Sequence, residues 1–370
     1  MLVELNGKRV ERESGQGVPL RSEGRPVRLA LLTWPVIVLV GATVAAATCL
    51  LSDCERFGRT FAKETLVGDV GTVKSIAYRP DGAMLSSVGV DGSIVIWDLA
   101  TRPHSAFIPQ GIGVVRCAAF SPDNRLLATG NARATVSLHD LDDDLSRSLF
   151  DTPAATSDAG CVAFSADGAT LAVGQEDGKI TLWDAATGRR RSTLSGHTKF
   201  VASMVFASDG TTLASSGSDR VTRIWDLSAG SELYAISSLM NPYMALAFSP
   251  DGRLLALGDH VSAVVRLWDL TAGAERAALR GPTGAVVGVA ISPDGTTLAA
   301  ADYQGVVTFW DLANFEMSPR RLRHPGVRSL VFAPDGRALA TGGFDGTIHL
   351  WAFPLASGDR NLTSAVTGPG

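Results

Sequence analysis

Seven tandem copies of one pattern run through this chain from about residue 58, and such repetition constrains the fold more than any local motif does. Each copy has an Asp in a turn-forming context after an apolar run, at intervals of 41–44 residues. These aspartates are Asp81, Asp123, Asp167, Asp209, Asp251, Asp294 and Asp335. Six copies also carry a Trp later in the repeat, at Trp97, Trp183, Trp225, Trp268, Trp310 and Trp351, and His139 takes that place in the second. A unit this short cannot bury its own apolar faces, so the copies must pack on one another.

Each copy is predicted to form four short strands. Residues 245–248 are apolar and enter a Ser-Pro-Asp-Gly sequence, in which Pro and Gly favour a tight turn. Residues 93–97 are a Ser followed by four successive apolar residues, as expected for a strand covered on both faces. Closing seven such sheets into a ring leaves no exposed end. The sequence therefore predicts an all-β fold, a β-propeller.

With their Trp-Asp pairs, the repeats resemble the WD-repeat β-propeller family over about residues 58–354. The resemblance implies a seven-bladed propeller of four-stranded antiparallel blades. It also implies that the segment before the first repeat, residues 59–64, supplies the outer strand of the last blade. Removing residues 58–66 should then destabilise the whole ring.

The resemblance further implies a buried set of hydrogen bonds within a blade, made by a His, a Ser or Thr, a turn Asp and the Trp. In the fourth repeat these are His197, Ser215, Asp219 and Trp225, and only this copy has the complete set in sequence. We interpret the His-Asp pair as structural rather than catalytic. The other blades are expected to depend mainly on apolar packing.

The sequence contains no recognisable combination of catalytic or metal-binding residues. The six His are scattered at one per repeat or fewer, without the spacing of metal ligands. Cys117 and Cys161 occupy equivalent positions in adjacent repeats and are expected to be inert, buried thiols. The near balance of 33 Lys+Arg with 37 Asp+Glu argues against a nucleic-acid partner. We expect no enzyme activity, no cofactor and no metal.

Binding is expected on the loops over one end of the ring. The resemblance implies which positions of the repeats line this face. They give a cationic arc on the consecutive blades seven, one and two, together with four large apolar or aromatic residues. The arc is Lys74, Arg116 and Arg328, and the other four are Phe200, Met244, Tyr303 and Phe344.

An uncharged segment precedes the repeats. Residues 29–51 are long enough to cross a bilayer and predict one transmembrane signal-anchor helix, with a cleaved signal peptide as the alternative. Residues 1–28 are a polar tail, residues 52–57 a linker and residues 355–370 a flexible tail. Five Arg before the segment against three basic residues after it favour a cytoplasmic N-terminus and an extracytoplasmic propeller. Only five of the 33 Lys and Arg residues are Lys. This excess of Arg suggests a GC-rich genome and therefore a bacterial source.

These features predict a non-enzymatic, membrane-anchored scaffold that binds other proteins. Two alternatives remain open at this stage. The ring could bind a small ligand or catalyse a reaction in its central channel, or the chain could be a self-associating part of an envelope complex through its anchor and the region of Cys54.

Overall fold

Every repeat forms one four-stranded antiparallel sheet, called a blade below. The structure, a computed structural model, describes residues 63–67, 71–101, 105–107, 115–131, 135–141, 148–153, 158–237 and 245–353. These residues form 28 strands in seven sheets of four. The all-β propeller with seven antiparallel blades is thereby confirmed.

The strands follow one another in the same order in each blade, from inner to outer. Strand β1 (Lys63–Val67) precedes the repeats. Blade 1 contains β2 (Val73–Tyr78), β3 (Met84–Gly89), β4 (Ile94–Asp98) and β5 (Ser105–Phe107). Blade 2 contains β6 (Val115–Phe120), β7 (Leu126–Asn131), β8 (Thr135–Asp140) and β9 (Ser148–Pro153). Blade 3 contains β10 (Ala159–Phe164), β11 (Thr170–Gln175), β12 (Ile180–Asp184) and β13 (Arg190–Leu194). Blade 4 contains β14 (Val201–Phe206), β15 (Thr212–Gly217), β16 (Val221–Asp226) and β17 (Ser231–Ser237).

The remaining three blades complete the ring. Blade 5 contains β18 (Ala245–Phe248), β19 (Leu254–Gly258), β20 (Val264–Asp269) and β21 (Ala274–Arg280). Blade 6 contains β22 (Val286–Ile291), β23 (Thr297–Asp302), β24 (Val306–Asp311) and β25 (Met317–Arg323). Blade 7 contains β26 (Val327–Phe332), β27 (Ala338–Gly343) and β28 (Thr347–Ala352), with β1 as its outer strand.

Strand β1 closes the ring. It pairs antiparallel with β28, from Lys63 opposite Trp351 to Val67 opposite Thr347. Each inner strand contacts the inner strand of the next blade, and β26 contacts β2. The closing strand extends further along the chain than the 59–64 expected from sequence, because the apolar Leu66 packs against the core shared by blades 7 and 1. Residues 59–62 lie outside the described residues.

The core repeats with the blades. The second strand of each blade has a Leu at the same position, and all seven Leu side chains are completely buried. These are Leu85, Leu127, Leu171, Leu213, Leu255, Leu298 and Leu339. Each stands opposite the Trp of its own blade, or opposite His139 in blade 2. Burial of one such side chain contributes about 1.5–3 kcal/mol, so each blade adds a similar share of the core.

Most inner strands begin with a bulge. In six of the seven, the pairing with the second strand skips one residue near the start, and the exception is β18. The skipped residues are Lys74, Arg116, Gly160, Ala202, Val287 and Arg328. A bulge bends the strand and turns the side chain of the extra residue away from the regular pleat. The three cationic residues expected at the binding face all lie at these bulges.

The expected transmembrane helix at residues 29–51 lies outside the described residues, as do the linker and both tails. Within the part of the chain that the structure describes, no helix has the length and apolar character needed to span a bilayer.

Candidate functional site

One face of the ring, called the upper face below, is the face on which the inner strands begin. The turns between second and third strands lie on the same face, held by backbone hydrogen bonds. The Phe344 N–H donates to the Gly326 carbonyl at 2.9 Å, and the Tyr303 N–H donates to the Ala285 carbonyl at 2.8 Å. Residues of these turns therefore stand beside the starts of the inner strands.

The cationic arc lines a cavity. Lys74, Arg116 and Arg328 all contribute to the wall of a cavity of about 370 Å³ at the upper end of the central channel. Blades 7, 1 and 2 are consecutive in the closed ring, so the three side chains approach the channel from one side. The structure therefore brings these residues to one place, the upper mouth of the channel.

Arg328 forms a cluster with two aromatic residues. Its guanidinium carbon lies 4.1 Å from the centre of the Phe344 ring and 5.7 Å from that of Tyr303. The two rings meet edge to face, with 6.1 Å between their centres. An Arg over an aromatic ring gains cation–π attraction, and its guanidinium group is only weakly hydrated, so contact with the ring costs it little hydration. The positive charge is thus held at a fixed place on the upper face.

The other two cations are linked to each other. The Lys74 ammonium donates a hydrogen bond to the Arg116 backbone carbonyl at 2.9 Å, which joins blades 1 and 2. Desolvation by the surrounding protein lowers the pKa of Lys74, and the charge of Arg116 adds to this effect. Arg116 forms an ion pair with Asp158 at 3.0 Å. The charge of Arg116 is therefore largely offset, whereas Lys74 and Arg328 have no ion pair within the described residues.

Phe200, another residue of the sequence-based set, does not join this cluster. Phe200 precedes the inner strand of blade 4, and its ring fills the space beside Gly160 on blade 3, where a Cβ would collide with it. Blades 3 and 4 lie across the ring from blade 7. Met244 lies outside the described residues.

Sequence reasoning missed two exposed apolar residues on the same face. Val90 is 60% exposed in the turn of blade 1, and Val261 is 50% exposed in the turn of blade 5. With Tyr303 at 50% and Phe344 at 39%, they form an arc over the consecutive blades 5, 6, 7 and 1, called the apolar arc below. A Val within an otherwise polar Asp-Gly turn is the signal that could have revealed Val90.

The hydrogen-bond set of blade 4 is present in the structure. His197 Nδ1 lies 3.0 Å from both Asp219 carboxylate oxygens, and its Nε2 lies 2.9 Å from the Ser215 hydroxyl. The Trp225 indole N–H donates to the same hydroxyl at 2.8 Å. Burial lowers the pKa of His197, although the bond to Asp219 opposes this effect. The four side chains tie the turn of blade 4 to its strands.

A second set exists in blade 7, and this corrects the expectation that only the fourth repeat has one. His324 Nδ1 lies 2.8 Å from the Thr341 hydroxyl, and its Nε2 lies 3.5 Å from the Asp345 carboxylate. The Trp351 indole donates to Thr341 at 2.9 Å. Sequence comparison missed this set because Arg, not Gly, precedes the His.

Blades 5 and 6 support the same turn in another way. Asp302 is the last residue of the second strand of blade 6, and Asp259 directly follows the second strand of blade 5. The usual turn position of these blades holds Gln304 and Ser262 instead of Asp. Asp302 accepts hydrogen bonds from the Gln304 and Val306 backbone N–H groups, both at 3.0 Å. Asp259 does so for Val261 at 2.8 Å. An Asp near the end of the second strand therefore supports each of these turns through backbone hydrogen bonds.

The walls of the channel show little that could support chemistry. Cys117 and Cys161 are buried free thiols, as expected, and burial raises the pKa of Cys117 to about 12. At the lower mouth, aromatic side chains such as Phe206 and Phe248 line an apolar cavity of about 490 Å³. Among the described residues, no three His, Cys, Asp or Glu side chains lie close enough together to hold a metal ion.

The fold and the Trp-Asp pairs define a WD-repeat β-propeller, and comparison with known families agrees. The family model "Nucleolar protein 10-like, N-terminal domain" matches residues 70–260, and "WD domain, G-beta repeat" matches residues 273–311 and 318–352. Since the first match alone covers more than half of the chain, the chain belongs to this β-propeller family, with WD repeats in its last two blades.

Individual relatives match over shorter segments. The "Small ribosomal subunit protein RACK1" of Caenorhabditis elegans is 30% identical over 109 residues, which are 30% of this chain and 31% of that protein. Its counterpart in Medicago sativa is 32% identical over 80 residues, 22% of this chain and 24% of that protein. The Glycine max protein of the same name is 31% identical over 103 residues, which are 26% of this chain and 31% of that protein. The matches thus span no more than about a third of each relative.

Proposed function

We propose that this protein is a non-enzymatic scaffold, anchored in a membrane by residues 29–51, whose upper face binds other proteins. The observation that carries the proposal is the apolar arc beside the cationic mouth. Large apolar side chains on contiguous surface turns are costly to expose unless a partner covers them. Aromatic residues and Arg are also the types enriched at the centres of protein interfaces.

The names of the matched relatives support the same interpretation. They describe those proteins as parts of the small ribosomal subunit, so related repeats occur within a larger assembly. For this chain we infer a protein partner rather than nucleic acid, because its acidic and basic residues nearly balance.

The membrane part of the proposal rests on the uncharged run of residues 29–51 and the larger number of Arg before it. This distribution favours an N-terminus in the cytoplasm and a propeller outside it. Addition of protease to intact cells should degrade residues 58–354 and spare the N-terminal tail. A propeller that stays protected until the membrane is opened would contradict this orientation.

The binding role is tested by affinity capture from detergent-solubilised membranes. The double variant Tyr303→Ser/Phe344→Ser should lose a stoichiometric partner that the wild type retains. Leu233→Ser is the matched control, because Leu233 is 47% exposed on the outer strand of blade 4, away from the upper face. Equal capture by all three proteins would place the binding surface elsewhere.

A small ligand in the channel is the second candidate function, and the upper cavity of about 370 Å³ with its cationic wall favours it. Absence of any protein partner in the capture experiment, with wild type and variants alike, would favour this candidate over the scaffold.

A further inference from the structure

The upper mouth holds two cations without an ionic partner of their own. Neither Lys74 nor Arg328 forms an ion pair with a described residue, whereas the third cation of the mouth, Arg116, pairs with Asp158 at 3.0 Å. Like charges beside a cavity repel one another, and a bound anion would remove that repulsion.

Arg328 keeps hydrogen-bonding capacity. Its contacts with Phe344 and Tyr303 are cation–π contacts, and its guanidinium group makes no hydrogen bond to a described residue. The N–H donors lie in the plane of that group and remain able to bind both oxygens of one carboxylate. Its position at a bulge and in the cavity wall directs it to the channel mouth.

The surroundings indicate which kind of anion fits. The mouth adjoins the exposed rings of Tyr303 and Phe344, and the turn holding Val90 lies on the neighbouring blade 1. A small inorganic anion gains nothing from apolar side chains, whereas a polypeptide can offer a carboxylate and an apolar residue together. The cavity of about 370 Å³ is also far larger than the ~10–15 Å³ that one water molecule needs by the same measure, so a side chain can enter it.

We infer that the partner presents an acidic segment, with one Asp or Glu side chain entering the upper mouth between Lys74 and Arg328. An apolar neighbour of that residue packs on Tyr303 and Phe344. This inference rests on the proposed scaffold function and specifies the chemistry of the protein that the scaffold binds.

The test uses the full chain in detergent and a random peptide library displayed on phage. Selection should enrich peptides in which an acidic residue adjoins an apolar one. The consensus peptide, labelled with a fluorophore, should bind Lys74→Gln and Arg328→Gln at least tenfold more weakly than wild type. Arg276→Gln is the matched control, because Arg276 also lies over an aromatic ring, Phe315, but outside the mouth.

Two further measurements keep the inference falsifiable if a variant folds poorly. Replacing the acidic residue of the peptide by its amide should weaken binding to the unmodified protein at least tenfold. Excess inorganic phosphate should displace the peptide no better than the same ionic strength of chloride. Enrichment without acidic residues, no enrichment, equal binding of the amide peptide or specific displacement by phosphate would each overturn the inference.

The outcomes also separate this inference from the proposed function. If Tyr303→Ser/Phe344→Ser loses a captured partner but the peptides show no need for an acid, the scaffold stands and its partner has another chemistry. If that variant loses nothing, the upper face is not the binding surface at all.

Discussion

Val201 fills the space beside Gly174, where any larger residue would collide with it. A Cβ on Gly174 would lie 2.8 Å from Cγ1 of Val201 and 2.6 Å from the sulfur of Cys161. The same relationship joins Val286 to Gly258 at the boundary of blades 5 and 6, where a Cβ on the glycine would lie 2.7 Å from Cγ1 of the valine. Small residues on second strands thus allow the next blade to approach closely.

Gly174→Ala should therefore destabilise the ring by about 1–3 kcal/mol, the range typical of overpacking in a dense core. The free energy of unfolding from denaturant titration measures this. Val201→Ala should recover part of the loss in the double variant, because it removes one of the two colliding groups. Gly71→Ala is the control, since its Cβ would come no closer than 3.5 Å to any atom. A similar loss in both single variants would contradict the packing argument.

Asp219→Asn should cost about 1–3 kcal/mol, because the His197 ring and the Thr198 N–H would lose a charged acceptor at a buried site. Asp177→Asn, in the corresponding turn of blade 3, should cost less than about 1 kcal/mol, since its ion pair with Lys179 is largely exposed. Chemical denaturation of the two variants makes the comparison. Equal losses would mean that the set in blade 4 has no special role.

Acidification should weaken the fold through His197. Burial holds its pKa below the ordinary 6.5, so the unfolded chain binds this proton more readily than the folded chain does. Stability contributed by neutral His197 is therefore present above pH 6.5 and falls as the pH drops below it. His197→Gln should show a shallower fall in unfolding free energy between about pH 7 and pH 5. Parallel curves for the two proteins would refute this assignment.

Removal of residues 58–66 should destabilise the whole ring and not only blade 7. Strand β28 would lose its outer partner, and Leu66 would leave the core. Four of the five residue pairs are removed, so a loss of at least about 2 kcal/mol is expected from the hydrogen bonds alone. Val67→Ser is the control, because Val67 is 75% exposed. An unchanged melting temperature after the truncation would refute closure by β1.

Cys117 and Cys161 should not react with a thiol reagent at pH 8 while the protein is folded. Burial raises the pKa of Cys117 to about 12 and that of Cys161 well above its usual value, so almost no thiolate forms. Peptide mapping by mass spectrometry should find both labelled only after denaturation. Labelling of either residue in the native ring would show that the channel wall opens.

The fold was predictable because the period, the turn and the Trp position agree across the repeats. All three features follow from the need of each four-stranded unit to pack against its neighbours. Placement of Arg328 near Tyr303 and Phe344 was also predictable, since equivalent positions occupy equivalent places in a ring. Other features were not. The pairing of Arg116 with Asp158 joins residues of two blades, and no repeat pattern encodes it. The His324 set was not predicted because the sequence pattern requires a Gly before the His, whereas the hydrogen bonds need only the His.

Binding at the upper face can be examined inside the cell by photo-crosslinking. A photoreactive aromatic amino acid is placed at position 303 in one strain and at position 233 in another, and both are irradiated. We predict a discrete covalent adduct with another protein from position 303 and none from position 233. Adducts from position 233 alone, or from neither position, would contradict binding at the upper face.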